Sequence, residues 1–269
     1  MNQKLTVKEL LECKGRRKLT QVYVSSPEEA AACEAAGIDL LVAGSSRGGI
    51  ETNRIRSIRE AAPNTFLTVP ISLFGAVSDA EAIRIGIENL KIGADAVYTS
   101  ISIDRVKAMA KEHIPVVGHV GLVPLRSSWY GGFRAVGKSA DEAIQVLRDT
   151  LAYQEAGAIA VEMELVPYKV TEKISGRVDI LVISMGSGQG GDVQYLFACD
   201  ILGTQRGHIP RHAKVYRNLA AEYDRLKQET IEAFKEFRSD VTKGIFPESG
   251  HCLEIDNEQF KAFMSRIEQ

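Results

Sequence analysis

The chain has 269 residues with 33 basic and 35 acidic side chains, so it offers no field to draw in nucleic acid or an anionic membrane surface, and small molecules are the expected ligands. Cys13, Cys33, Cys199 and Cys252 are widely spaced and form no CxxC pair, which reads as reduced thiols in a cytoplasmic protein. No apolar run reaches the roughly 18 residues of a membrane span.

From the N-terminus, MNQKLTVKELLECKGRRKL predicts a short amphipathic helix with a basic end, and it lacks the continuous apolar core of a signal peptide. Short apolar runs then alternate with stretches of helical period. The predicted strands are Leu19–Val24, Asp39–Ala43, Phe66–Val69, Ala96–Thr99, Val116–His119, Ala160–Leu165, Ile180–Ser184 and Tyr195–Cys199. Between them, SPEEAAACEAAG, SDAEAIRIGIENLKIGA and SADEAIQVLRDTLAYQEAGA each open on a capping serine (Ser26, Ser78, Ser139) and close on a glycine (Gly37, Gly93, Gly157). Eight strands in this rhythm predict a (β/α)8 barrel of the TIM type. A single domain over residues 1–269 is expected, with 211–269 a mostly helical C-terminal extension broken at GIFPESGHC.

In such a barrel the chemistry sits where the strands end. Those ends supply Tyr23; Ser45, Ser46 and Arg47; Ser72; Tyr98 and Ser100; His119; and Glu162 and Glu164. The two glutamates are two positions apart on a strand, so both face the same way, and a pair of inward carboxylates raises at least one pKa toward the range of a general acid or base. His119, between glycines, can donate a hydrogen bond to a substrate oxygen or shuttle a proton, or be a satisfied structural residue. GSGQGG (186–191) has the letters of a dinucleotide fingerprint, but strand-like residues follow it where a helix should open; a loop whose backbone amides approach a ligand is the better account. His208 and His212 are four apart, yet Pro210 between them argues against a shared helical face for a metal.

Segment 119–167, HVGLVPLRSSWYGGFRAVGKSADEAIQVLRDTLAYQEAGAIAVEMELVP, resembles the ketopantoate hydroxymethyltransferase family, with its HIGLTPQ-type strand end, its GG[YF]-x-x-x-G stretch and its LECVP-type strand. ISMGSGQGGDVQYLFACDILG (183–203) is similar to the family's IGIGAG-x-x-x-DGQVLV-x-HDLLG, and GIFPESGHC to its FP-x-x-EH. The family belongs to the phosphoenolpyruvate mutase and isocitrate lyase superfamily of modified barrels. The resemblance implies a homo-oligomer, a magnesium ion that holds a 2-oxo acid, methylene-tetrahydrofolate as one-carbon donor, and a glutamate that moves the α-proton. By position Glu164 matches that glutamate, His119 the strand-end histidine, Tyr23 the tyrosine of a TAYD-type first strand, and Ser46 the serine of a GDS-type second strand.

Three departures stand out. GSS replaces GDS, leaving Ser45 where the family has a metal-binding acid. ISLFG puts Ile71 in the place of the second metal acid. VYTSIS puts Tyr98 and Ser100 where a lysine and a glutamate end the fourth strand. Magnesium prefers carboxylate oxygens, so it is disfavoured here and no metal ligand is assigned. Three accounts are open: Arg47 supplies the missing positive charge, Glu162 rebuilds a metal site with Glu164 or His119, or catalysis was lost. The first is favoured because Arg47 adjoins the lost ligand and a guanidinium can grip a carboxylate with two hydrogen bonds. The expectation is an enzyme on a small 2-oxo acid or related carboxylate, forming or cleaving a carbon–carbon bond through an enolate-like state. Glu164, His119 and Arg47 are then catalytic, and Tyr23, Ser45, Ser46, Tyr98, Ser100 and Glu162 bind substrate. Authentic ketopantoate synthesis is not expected. The alternatives are a metal-independent decarboxylase or tautomerase, or a non-catalytic barrel that binds a metabolite.

Overall fold

A computed structural model describes residues 4–44, 52–71 and 74–268. The helix predicted at the N-terminus is α1 (Val7–Glu12), and β1 (Leu19–Val24) follows it. Pairs then alternate: α2 (Pro27–Ala35) and β2 (Leu40–Ala43), α3 (Thr52–Ala61) and β3 (Phe66–Ile71), α4 (Asp79–Lys91) and β4 (Ala96–Thr99), α5 (Ile103–Lys111) and β5 (Val116–Gly121). A 3₁₀ turn (Pro124–Tyr130) precedes α6 (Ala140–Glu155), then come β6 (Ala160–Glu164), α7 (Tyr168–Ser175), β7 (Leu181–Met185), β8 (Val193–Phe197) and α8 (Ala198–Leu202). All eight strands are parallel and close in sequence order, with β8 pairing β1. This is the (β/α)8 barrel.

Local chemistry explains the rhythm. Ser26, Ser78 and Ser139 each accept from the backbone amide three residues on, at Glu29, Glu81 and Glu142. Those amides are orphan donors of a helix start, and each cap is worth about 1 kcal/mol. The same three glutamates reach back to the amides of Ser25, Val77 and Lys138, so one S-x-x-E device is used three times. Gly37, Gly93 and Gly157 take φ of +76°, +108° and +90° to turn the chain into the next strand.

Alternation along the strands sorts two layers. The inner one contains Leu19, Leu40, Val42, Phe66, Ala96, Val117, Leu181, Ile183 and Val193, and Leu10 of α1 is buried against it from the N-terminal end. The outer one packs Val22, Leu41, Leu67 and Val69 beneath α2 and α3, and Val97, Val120, Val161 and Val182 beneath the later helices. Each fully buried aliphatic side chain contributes about 1.5–3 kcal/mol, so both layers are needed to hold the ring closed.

Strand eight differs from the expectation at both ends, because Ala198–Leu202 turns helical and the strand starts earlier, at Val193. The chain passes from Met185 to Val193 without a helix. Residues 186–192 fold back along β7, where the Asp192 amide donates to the Val182 carbonyl at 2.8 Å, and the Asp192 carboxylate accepts from the Val182 amide at 2.8 Å and from Lys14 at 2.8 Å. The glycines of GSGQGG are explained by this route. A Cβ on Gly190 would stand 2.7 Å from Cα of Glu172, and one on Gly188 would stand 2.3 Å from Cβ of Tyr168. The motif therefore serves close packing against α7, and with β8 in place of a helix it opens no dinucleotide fold. His208 and His212 lie in an irregular segment and share no helical face.

Met1–Arg217 and Asn218–Gln269 form two compact units. Within the second, α9 (Leu219–Lys243) is capped by Asn218 and stopped by Gly244 at φ +69°, and α10 (Asn257–Ile267) is capped by Asp256. The GIFPESGHC break lies between them, where Phe246 packs edge-on against Phe237 with centroids 5.5 Å apart. Among the described residues no helix is long and apolar enough to cross a membrane, and all four cysteines are free thiols.

Candidate active site

Strands β4, β5 and β6 carry the polar heart of the barrel. His119 pairs in register with Glu162, and Gly121 with Glu164, so the two inward glutamates stand one above the other beside the imidazole. His119 is 5% exposed, Glu162 4% and Glu164 9%, which takes all three out of bulk water. His119 Nε2 lies 3.1 Å from Glu164 Oε2 and 3.9 Å from Glu162 Oε1. Its Nδ1 lies 2.5 Å from the Tyr98 hydroxyl, which comes in from β4. Four of the residues expected from sequence thus form one connected group.

Burial raises the Glu162 carboxyl to about 7; the neighbouring His119 charge opposes this, while the Glu164 charge adds to it. For His119 burial works against the charged form, yet the Glu162 charge and the hydrogen bond and charge of Glu164 outweigh it and raise the imidazole. Burial holds the Tyr98 phenol well above its ordinary range.

The backbone around this group is tightly set. Tyr153 of α6 lies over Gly118, where a Cβ would come 2.3 Å from its ring. Leu165, immediately after Glu164, takes φ +50°, a left-handed conformation that costs a side-chain residue about 1–2 kcal/mol. The Leu165 amide to the Met185 carbonyl and the Val166 amide to Ser187 Oγ, both 2.9 Å, hold the turn that aims Glu164 inward. No feature of the sequence flagged Leu165, because a bulky residue is an unexpected choice at positive φ.

The other expected residues are placed unevenly. Ser45, Ser46, Arg47 and Ser72 lie outside the described residues, so the anion site expected on SSRG is untouched by the geometry. Tyr23 sits at the mouth, its hydroxyl donating to the Gly44 carbonyl and its ring stacked on Phe197 at 4.8 Å. Ser100 is buried, and its carbonyl accepts from Arg126 of the 3₁₀ turn. Arg54 of α3 donates to the Gly44 carbonyl at 2.7 Å. Arg54 and Arg126 bring guanidinium groups to the ends of β2 and β4, and the sequence marked neither, since each reaches its strand end from an adjoining helix or turn.

A magnesium site of the kind the family resemblance implies does not fit the third strand. Ile71 is 3% exposed and belongs to the apolar cluster of Val97, Ile101, Val106 and Met109, outside the barrel. It offers no ligand atom and faces away from the interior. His119, Glu162 and Glu164 offer one imidazole nitrogen and two carboxylate oxygens within 4.8 Å of one another, a donor set that suits a transition metal better than magnesium.

A family model described as ketopantoate hydroxymethyltransferase matches residues 4–249. The 3-methyl-2-oxobutanoate hydroxymethyltransferase of Pyrococcus furiosus is 31% identical, covering 98% of this chain and 97% of its own. The enzyme of that name from Deinococcus radiodurans is 34% identical over 84% of each chain. Among solved structures, 2,3-dimethylmalate lyase, a member of the phosphoenolpyruvate mutase and isocitrate lyase superfamily, superposes with a TM-score of 0.52 at 12% identity, covering 94% of this chain and 91% of the lyase. Oxaloacetate acetylhydrolase in complex with 3,3-difluorooxalacetate gives 0.54 at 11% identity, covering 90% and 98%. At such identities the structural likeness is one of fold.

Proposed function

The chain belongs to the ketopantoate hydroxymethyltransferase family, and on that premise we propose that it forms or cleaves a carbon–carbon bond next to the carbonyl of a small 2-oxo acid, through an enolate-like intermediate. The observation that carries this reading is the buried His119–Glu164 pair, 3.1 Å apart at the C-terminal ends of adjacent strands. A carboxylate held there can take the α-proton, and an imidazole beside it can steady the charge that develops.

In this reading Glu164 moves the proton and His119 orients it. Tyr23 and Ser46 position the substrate, and the substrate carboxylate is met by guanidinium, with Arg47 as the candidate from the second-strand loop and Arg54 and Arg126 anchored at neighbouring strand ends. Ile71 in place of a metal acid argues against authentic ketopantoate synthesis, so a lyase, aldolase or hydroxymethyltransferase-like reaction on a changed substrate is the proposal.

The test is deuterium exchange at the α-carbon of 3-methyl-2-oxobutanoate and of pyruvate in D₂O, followed by proton NMR. Wild type should catalyse exchange, and Glu164→Gln should lose roughly 10²–10⁴-fold, the usual worth of a positioned general base. If these acids raise the melting temperature yet neither form exchanges, the barrel is a metabolite binder and the enzyme reading is wrong.

A further inference from the structure

An imidazole nitrogen of His119 and one carboxylate oxygen each from Glu162 and Glu164 lie within 4.8 Å of one another inside the barrel. Two ligands of a single zinc-sized ion, each about 2.1 Å from it, stand about 3.0–3.4 Å apart at octahedral to tetrahedral angles. The 3.1 Å between His119 Nε2 and Glu164 Oε2 is already in that range, and the 3.9 Å from Nε2 to Glu162 Oε1 closes with a small turn of the glutamate side chain. Register fixes the arrangement, since His119 is paired with Glu162 across β5 and β6 and Glu164 follows one step nearer the mouth.

A second observation concerns the far side of the imidazole. Histidines that bind a metal through one ring nitrogen hold the other by a hydrogen bond, which sets the tautomer and the plane of the ring. The Tyr98 hydroxyl does this here, 2.5 Å from Nδ1, and leaves Nε2 to face the two carboxylates. With Nε2 on an ion, Nδ1 carries the ring proton and the phenol oxygen accepts it. Val117, two positions before His119, and Ile183, in register with Glu162, belong to the apolar inner layer, so the donors stand against a water-poor wall.

Charge points the same way. Among the described residues, the ion pairs of Glu162 and Glu164 go to His119 alone. Buried carboxylates are paired or coordinate a metal, and a divalent ion brings two carboxylates and a neutral imidazole to a net charge of zero. We propose that His119, Glu162 and Glu164 bind one divalent first-row transition ion of the zinc class, and that an ion there silences the proton transfer assigned above to Glu164. One imidazole with two carboxylates suits such an ion better than magnesium. The site is on β5 and β6, whereas the family resemblance places the magnesium acids on the second and third strands. The silencing rests on the proposed proton transfer, because a carboxylate engaged by an ion is not available as a base; the site itself stands on the geometry alone.

The test uses the full chain stripped with a chelator and titrated with zinc chloride in a calorimeter, with cobalt chloride as the spectroscopic probe. Wild type should bind one zinc per chain, and magnesium should not compete. Glu162→Gln and His119→Gln should each weaken zinc at least about a hundredfold, with circular dichroism of the metal-free variants unchanged. Tyr98→Phe keeps all three ligands, so it should weaken zinc about tenfold while the visible bands of bound cobalt persist. Zinc should also stop α-deuterium exchange of 3-methyl-2-oxobutanoate by wild type at concentrations that match its Kd. Zinc binding that is absent, that survives Glu162→Gln, or that comes with a cobalt–thiolate band in the near ultraviolet would overturn the site; if metal-free wild type still exchanges, the proton transfer stands. If zinc binds as stated and metal-free wild type does not exchange, the site stands and the proton transfer fails. Exchange that zinc accelerates would overturn the silencing.

Discussion

Glu162 sets a pH dependence of stability that can be worked from its surroundings. Its carboxyl is raised from 4.5 to about 7 by burial, so the folded chain binds this proton more tightly than the unfolded chain does. The resulting stabilisation is complete below pH 4.5 and disappears as pH rises through the folded value. The rise from 4.5 to about 7 corresponds to about 3 kcal/mol in total, of which about 2 kcal/mol falls between pH 5.5 and 8.5. His119 acts with the same sign, since its raised pKa gives stability that is present below its unfolded value and lost as pH rises through the folded one. Glu142, lowered to about 2 by Arg134, acts the opposite way but only at pH values below this window. Urea titration followed by circular dichroism should show the wild-type midpoint falling between pH 5.5 and 8.5. For an m-value of roughly 3 kcal/mol per molar the fall is about 0.7 M or more. Glu162→Gln should show a much flatter profile and exceed wild type at pH 8.5, because an amide carries no charge to desolvate. Parallel profiles for the two proteins would refute the claim that Glu162 carries a destabilising charge above neutrality.

The remaining predictions concern packing and metal. Gly118→Ala should lose about 1–3 kcal/mol, because its Cβ would collide with the Tyr153 ring; a thermal midpoint unchanged within a degree would contradict this. Gly190→Ala should be similarly costly, since the colliding atoms belong to the α7 backbone, and urea unfolding would show a comparable loss or disprove the packing account of the glycine-rich crossover. Ile71→Asp should bury a carboxylate in an apolar cluster, lowering stability by several kcal/mol without creating a magnesium site. Tight magnesium binding by that variant in calorimetry would show that position 71 does reach the barrel interior.

Much of this molecule is legible along the chain because its causes are local. The S-x-x-E caps and the glycines that end α2, α4 and α6 act over a single turn, and they reveal the barrel's rhythm before any contact is known. The shared inward face of Glu162 and Glu164 follows from the two-residue period of one strand. What tertiary structure decided is which of these side chains meet. Tyr98 bonds His119 across 21 positions, and His119 meets Glu164 across 45. Those encounters depend on strand register, which no single strand encodes. The same register sends Ile71 outward and brings Arg54 and Arg126 to the strand ends, and the closed ring leaves a passage so narrow between β7 and α7 that glycine serves packing there. Local hydrogen bonding and periodicity select the elements, but only ring closure, which aligns all eight strands at once, fixes which polar groups share the space inside.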